Sequence, residues 1–174
     1  MSNLQLVAAL ALQEEVKVTP VGLTLSEESW DSAWPEAAAL AAKHFEEVDG
    51  GVEERRIFAP DVSKMRALNA MGVLRIFVAR RDGKLVGYFT WQIMPDLESQ
   101  DLLIATQGAW YAELGESRVG FRLFEFSIAA LKALGVQMIF PHHRTQGRGA
   151  ELGRFFKRWG AKHIQDTYSL WIGD

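Results

Sequence analysis

The stretch Val73-Leu74-Arg75-Ile76-Phe77-Val78-Ala79-Arg80-Arg81-Asp82-Gly83-Lys84-Leu85-Val86-Gly87-Tyr88-Phe89-Thr90-Trp91-Gln92-Ile93 decides the fold class. Residues 73–80 and 85–93 are rich in branched and aromatic side chains, which suit a pleated, buried surface. Asp82-Gly83 between them tolerates the positive backbone angles of a tight turn, so the stretch reads as a β-hairpin.

Upstream of the hairpin, residues 16–25 contain Thr19-Pro20 and Gly22 and read as a short edge strand or loop. They lead to Ser26, which with Glu27 and Glu28 behind it has the character of a helix N-cap. Pro35 stands at a favoured first helical position before an alanine-rich run to Glu47, which ends at Asp49-Gly50-Gly51. A further helix is predicted over 61–71, closing at Gly72. The apolar run 4–12 follows no basic residue and is too short for a bilayer core of roughly 30 Å. Residues 1–14 therefore read as a small helical extension packed on the domain.

Downstream, 102–112 has the composition of a buried strand, interrupted by Gly108, where a β-bulge is expected. Over 118–134 the period changes: Arg118, Arg122, Glu125 and Lys132 form one helical stripe and apolar residues the rest, until Gly135 stops the helix. A short strand over 136–140, a loop over 141–149 and a helix over 150–159 follow, with Leu152, Phe155, Phe156 and Trp159 at the spacing of one helix face. Ile164, Tyr168, Leu170 and Ile172 then alternate as the inward side of a final strand. Strands separated by helices imply parallel pairs and the hairpin adds antiparallel ones, so the expected fold is α/β, with a mixed sheet flanked by helices.

A chain of 174 residues, 48% of them hydrophobic, is sized for a single domain, here 1–174. Cysteine is absent, which excludes disulfides, thiolate nucleophiles and cysteine metal sites, and fits a reducing cytoplasm. Residues 26–54 hold nine acids against Lys43 alone, whereas Arg144, Arg148, Arg154, Lys157, Arg158 and Lys162 face only Glu151 near the end of the chain. The basic end could receive an anion, but no stretch argues for nucleic acid.

The segment Arg154-Phe155-Phe156-Lys157-Arg158-Trp159-Gly160-Ala161, the hairpin and the order of elements from Val73 onward resemble the GNAT family of acetyl-CoA-dependent N-acetyltransferases, over roughly 100 residues. Within that family the chain looks closest to short GNAT-like proteins of tailed bacteriophages. The resemblance implies acetyl transfer to a primary amine of a protein or small molecule, with acetyl-CoA as co-substrate. It also admits a catalytically degenerate module, either a virion component or an inhibitor of a host protein. Bacterial or phage-infected host cytoplasm is the implied location, no membrane partner is expected, and a homodimer is left open.

The family's pyrophosphate signature, R/Q-x-x-G-x-G/A, has two counterparts here. Arg144-Thr145-Gln146-Gly147-Arg148-Gly149 matches literally, but too few elements follow it to complete a cofactor cleft. Ser117-Arg118-Val119-Gly120-Phe121-Arg122 matches by position and is favoured, because connection order constrains a fold more than six residues do. In it, Ser117 replaces the usual Arg or Gln and Arg122 the usual small residue; otherwise Ser117 is an N-cap and the arginines a solvated stripe. The implied cofactor contacts are Ala112, Ser117, Arg118, Val119, Gly120, Phe121, Arg122, Arg144 and Phe156. Phe156 stands where the family carries a tyrosine acid and has no proton to give.

Acyl transfer to an amine needs a base, donors for the carbonyl oxygen and a proton for the thiolate. The resemblance places the donors in the backbone of 107–112. Glu98 and Glu113 are candidate bases, and Tyr111 is either a displaced acid or a core ring. His142 and His143 leave the strand at Phe140, and since adjacent side chains diverge only one can point inward; His142 is taken as the candidate. A zinc pair is not expected, and His44 with Glu47 on one helix face reads as structural.

Overall fold

A computed structural model describes residues 22–49, 56–113, 115–144, 148–170 and 172, with only the backbone of Asp49 and Ser117. The helical extension at 1–14, Gly50-Gly51, and Thr145, Gln146 and Gly147 lie outside the described residues. The chain divides into two compact units, Met1–Phe140 and Pro141–Asp174.

The first unit is a five-stranded sheet in the order β1 (Leu23–Glu28), β2 (Leu74–Arg81), β3 (Lys84–Pro95), β4 (Leu103–Ala112), β5 (Met138–Phe140). The first three pairings are antiparallel and the last, β4 with β5, is parallel. Among the described residues of this unit there are three helices: α1 (Trp30–His44), prolonged by a π-helical segment (Phe45–Asp49), α2 (Val62–Ala70) and α3 (Ser117–Ala133). The second unit holds α4 (Gly149–Arg158). A mixed sheet flanked by helices is the architecture expected from the sequence.

The hairpin strands carry almost unbroken apolar runs because both faces of the sheet are covered. On one face Leu74, Ile76, Val78, Leu85, Tyr88 and Tyr111 pack with Trp30, Ala33, Ala37 and Leu40 of α1. On the other, Phe77 meets Phe126, and Phe89, Trp91 and Trp110 surround Phe124 of α3. Trp91, Phe77, Phe89 and Phe124 are among the largest fully buried side chains, each contributing roughly 1.5–3 kcal/mol by burial. Trp91 keeps its indole N–H satisfied by donating to Ser127 Oγ at 2.9 Å.

Local signals place most boundaries. Asp61 caps α2 by accepting the Lys64 N–H at 2.9 Å, and Gly72 and Gly135 take the positive φ that ends the helices before them. Three expectations are corrected. Ser26 lies inside β1, and Ser29 is the cap of α1, accepting from the Ser32 N–H at 3.2 Å, because ladder pairing with β2 carries the strand through Glu28. Pro35 is not a first helical residue but lies inside α1; the lost hydrogen bond is outweighed by burial of Trp30, Ala33, Ala37 and Leu40 on the sheet. The final strand is not formed: 161–170 carry no strand, and Ile164, Tyr168, Leu170 and Ile172 are exposed. Alternation suits a strand but cannot make one, since a strand requires a ladder partner.

Candidate functional site

The centre of interest is the C-terminal half of β4. Trp91 pairs with Gln107 and Phe89 with Trp110, so Thr90 alone stands opposite Gly108 and Ala109, which makes a β-bulge. The expectation of a bulge at Gly108 is met, and its reason is steric: a Cβ there would sit well inside 3.0 Å of Thr90 Oγ1. Thr90 Oγ1 in turn accepts the Ala109 N–H at 2.7 Å.

The parallel ladder between β4 and β5 is short. It runs from the Ile104–Met138 pair to the Thr106–Phe140 pair, while β4 continues through 107–112 past the end of β5. One edge of β4 beyond the bulge is thus left without a neighbouring strand among the described residues.

The chain then turns into α3. The Glu113 N–H donates to the Val86 carbonyl at 3.0 Å, Gly115 takes φ +90°, and the Glu116 N–H returns to the Glu113 carbonyl at 2.9 Å. Arg81 grips both carboxylate oxygens of Glu116 at 2.7 Å, and this hydrogen bonding holds the Glu116 carboxyl below its ordinary value. Glu116, not Ser117, is the N-cap, and it makes no side-chain bond to the amides of the first turn. Val119 and Gly120 are buried, whereas Arg118 is exposed and Arg122 half-buried. A Cβ on Gly120 would lie 3.2 Å from the Trp110 indole nitrogen, so this glycine lets α3 close on β4, where Phe121 meets Trp110 edge-on.

On the α1 face, two residues past the bulge, Tyr111 pairs with Tyr88 and both rings are buried. Tyr111 OH donates to Glu47 in the π-helical segment at 3.1 Å. Burial, Glu47 and Glu113 push the Tyr111 phenol up to about 12. The His44 ring stacks on Tyr111 with centroids 5.1 Å apart, and its Nδ1 lies 2.9 Å from Tyr88 OH.

In the second unit, a Cβ on Gly149 would collide with the Arg144 carbonyl, and one on Gly153 would press on the His143 ring. His143 stacks on Phe156, and its Nδ1 lies 2.8 Å from the Arg144 carbonyl oxygen. Arg148 grips Glu151 with two bonds of 2.7 Å. Gly149 thus has a packing reason independent of phosphate. His142 is largely at the surface, yet partial burial of its ring, then Arg144 and His143, lower its pKa.

Of the residues singled out from sequence, Ala112, Glu113, Tyr111 and Ser117 to Arg122 gather at the C-terminal end of β4. Glu98 does not join them: it is exposed in the β3–β4 connection, where its N–H donates to Asp96 at 2.9 Å, at the opposite end of β4. His142, Arg144 and Phe156 belong to the second unit. Sequence reasoning missed Thr90, the Arg81–Glu116 pair and the contacts of His44 and Glu47. For the last, the shared helix face was the signal. Among the described residues no group of three or more His, Asp or Glu is placed to hold a metal, and no helix is long and apolar enough to cross a membrane.

Comparison of the coordinates with solved structures identifies the architecture as the GNAT fold. A ribosomal-protein-alanine N-acetyltransferase from Brucella melitensis biovar Abortus 2308 superposes with a TM-score of 0.68 at 16% identity, covering 87% of this chain and 99% of that one. An aminoglycoside acetyltransferase from an uncultured soil metagenomic sample, solved with sisomicin, gives 0.67 at 17% identity, covering 86% and 97%. A predicted acetyltransferase from Clostridium acetobutylicum, solved with acetyl-CoA, gives 0.63 at 10% identity, covering 85% and 95%. No protein-family model matches the sequence, and no curated protein does.

Proposed function

We propose that the chain is an acetyl-CoA-dependent N-acetyltransferase acting on a primary amine of a small molecule or protein. The observation that carries this reading is the early end of the β4–β5 ladder. Among the described residues it leaves the bulged half of β4 with no strand beside it on that edge, which leads directly to the N-terminus of α3. Such an edge offers backbone groups to the amides of a pantetheine arm, and a helix start favours a pyrophosphate.

The residues fit that ligand. The Glu116 side chain makes no bond to the first-turn amides of α3 and is itself paired with Arg81. Ala112 and the backbone of 117–121 would hold the ligand, with Arg118 and Arg122 as phosphate partners. Bound acetyl-CoA would supply an acyl group activated as a thioester. The protein would supply orientation along β4, and Glu113 and Tyr111 beside it. A phenol near 12 is a poor acid for a thiolate of pKa about 8.5, the transfer being uphill by roughly 5 kcal/mol, so solvent is the better proton source.

Calorimetric titration with acetyl-CoA, followed by thiol release in the presence of primary amines, tests the reading. Binding with amine-dependent release is expected; absence of binding at millimolar acetyl-CoA would overturn it. One observation favours a second reading, a binding module without chemistry: Thr90 Oγ1 already takes the Ala109 N–H that could otherwise stabilise a carbonyl oxygen. That reading predicts binding without release.

A further inference from the structure

We propose, resting on the acetyltransferase reading, that His44 is the base that takes a proton from the acceptor amine, and that Glu47 holds the amine's positive charge before that transfer. The acceptor would then reach β4 from the face covered by α1.

Four polar side chains converge there: His44 Nδ1 lies 2.9 Å from Tyr88 OH, its ring stacks on Tyr111, and Tyr111 OH donates to Glu47 at 3.1 Å. Phenylalanine in place of either tyrosine would fill the same space without a buried hydroxyl to satisfy, so packing alone does not call for this pair. Each hydroxyl instead holds a titratable group that is itself only partly covered, since His44 is half-buried and the Glu47 side chain 37% exposed. The tyrosines fix the orientation, and the two outer groups carry the chemistry.

The helix is distorted where this happens. Directly after His44, α1 widens into the π-helical segment Phe45–Asp49, which contains Glu47. Such segments are rare and concentrate at functional sites. Ala109 of the bulge and Tyr111 lie on one face of β4 and pack in the same cluster, so His44 stands over the strand position next to the bulge. Among the described residues, the charged and titratable groups near His44 include Lys43 and Glu47 on its own helix, Tyr88 on β3 and Tyr111 on β4.

When Nδ1–H is donated to the Tyr88 oxygen, Nε2 carries the lone pair. An alkylammonium gives one proton to Nε2; the neutral nitrogen forms the new C–N bond as the C–S bond breaks. Its second proton goes to the leaving sulfur through solvent, and His44 releases the first to bulk. The products are one amide, one thiol and one proton.

The test uses the full chain with acetyl-CoA and, as acceptors, spermidine, kanamycin and a peptide with a free N-terminus. His44→Gln keeps a partner for Tyr88 and should lower kcat at least 100-fold while leaving acetyl-CoA affinity within twofold. Glu47→Gln should raise the KM for amine about tenfold with kcat little changed, and Tyr88→Phe should shift the 15N tautomer signature of His44. Retention of kcat within threefold in His44→Gln, or acetyl-CoA binding with no turnover of any of the three amines, overturns this assignment. Loss of acetyl-CoA binding by the unsubstituted chain overturns the acetyltransferase reading itself.

Discussion

Thr90 and Ala109 are joined across the bulge through the threonine hydroxyl, which accepts the alanine N–H at 2.7 Å and donates to the alanine carbonyl at 3.5 Å. The first bond supplies the acceptor that the interrupted ladder does not, and it explains why residue 108 is glycine. Thr90→Val keeps the shape and removes the acceptor, so it should destabilise the fold by about 1–3 kcal/mol, while Thr90→Ser should stay near the parent. Thermal melts of both decide this. Equal melting temperatures would show that the bulge does not need the hydroxyl.

Ser127→Ala should cost about the same. Trp91 is fully buried and its N–H has Ser127 Oγ as acceptor at 2.9 Å, so truncation strands a donor inside the core. The melting temperature should fall by several degrees, with a change in tryptophan emission. An unchanged melt would mean that the core relaxes to satisfy the indole elsewhere.

The element types from Val73 to Phe140 could be read from residues alone, because hairpin composition, helical period and helix-ending glycines all act locally. The boundaries near Ser26 and Pro35 could not, since there the β1–β2 ladder and the burial of Trp30 override local preference. The alternating tail from Ile164 to Ile172 misled for the same reason, as pairing is a property of two segments. Within the site, the bulge was marked by Gly108. Thr90, however, looked like any strand threonine until its register partner was known, and Arg81 and Glu116 are 35 residues apart.

Acid should unfold the protein through a defined set of carboxylates. Arg81 holds Glu116 down, Arg80 holds Glu36 down, Arg148 holds Glu151 down, and for Glu28 burial pushes up but Arg80 outweighs it. Groups depressed in the folded state contribute stability above the unfolded value of 4.5, and it is lost as pH falls through their folded values. Glu27, raised mainly by burial against the pull of Arg75, works in the opposite sense and offsets part of the loss. Melting temperature should therefore fall below pH about 4.5. A rise on acidification would contradict this set of pairs.

The Tyr111 phenol should ionise well above the ordinary tyrosine value. Spectrophotometric titration should show a phenol near 12 that Tyr111→Phe removes. Because the folded form holds this proton above the ordinary value near 10, its contribution to stability is complete below pH about 10 and is lost as pH rises toward 12. A full complement of phenols titrating near 10 in the native protein would be the contrary result.

Gly149→Ala should loosen the start of α4, since the added carbon would meet the Arg144 carbonyl. Crowding of this kind costs about 1–3 kcal/mol. Hydrogen exchange should speed up in the α4 amides; unchanged protection would show that the backbone at Arg144 can move aside.

The strand order has a consequence for assembly. β2 to β4 are joined by short connections, whereas β1 reaches β2 only across α1 and α2, and β5 reaches β4 only after α3. Neighbouring hairpins close on the order of microseconds, and pairings that span a helix wait for the larger loop. Substitutions in the β2–β3 hairpin should therefore slow refolding, and those at 138–140 should mainly hasten unfolding. In this order of events the bulged strand acquires its shape with the hairpin before it, and the short parallel strand closes beside it afterwards.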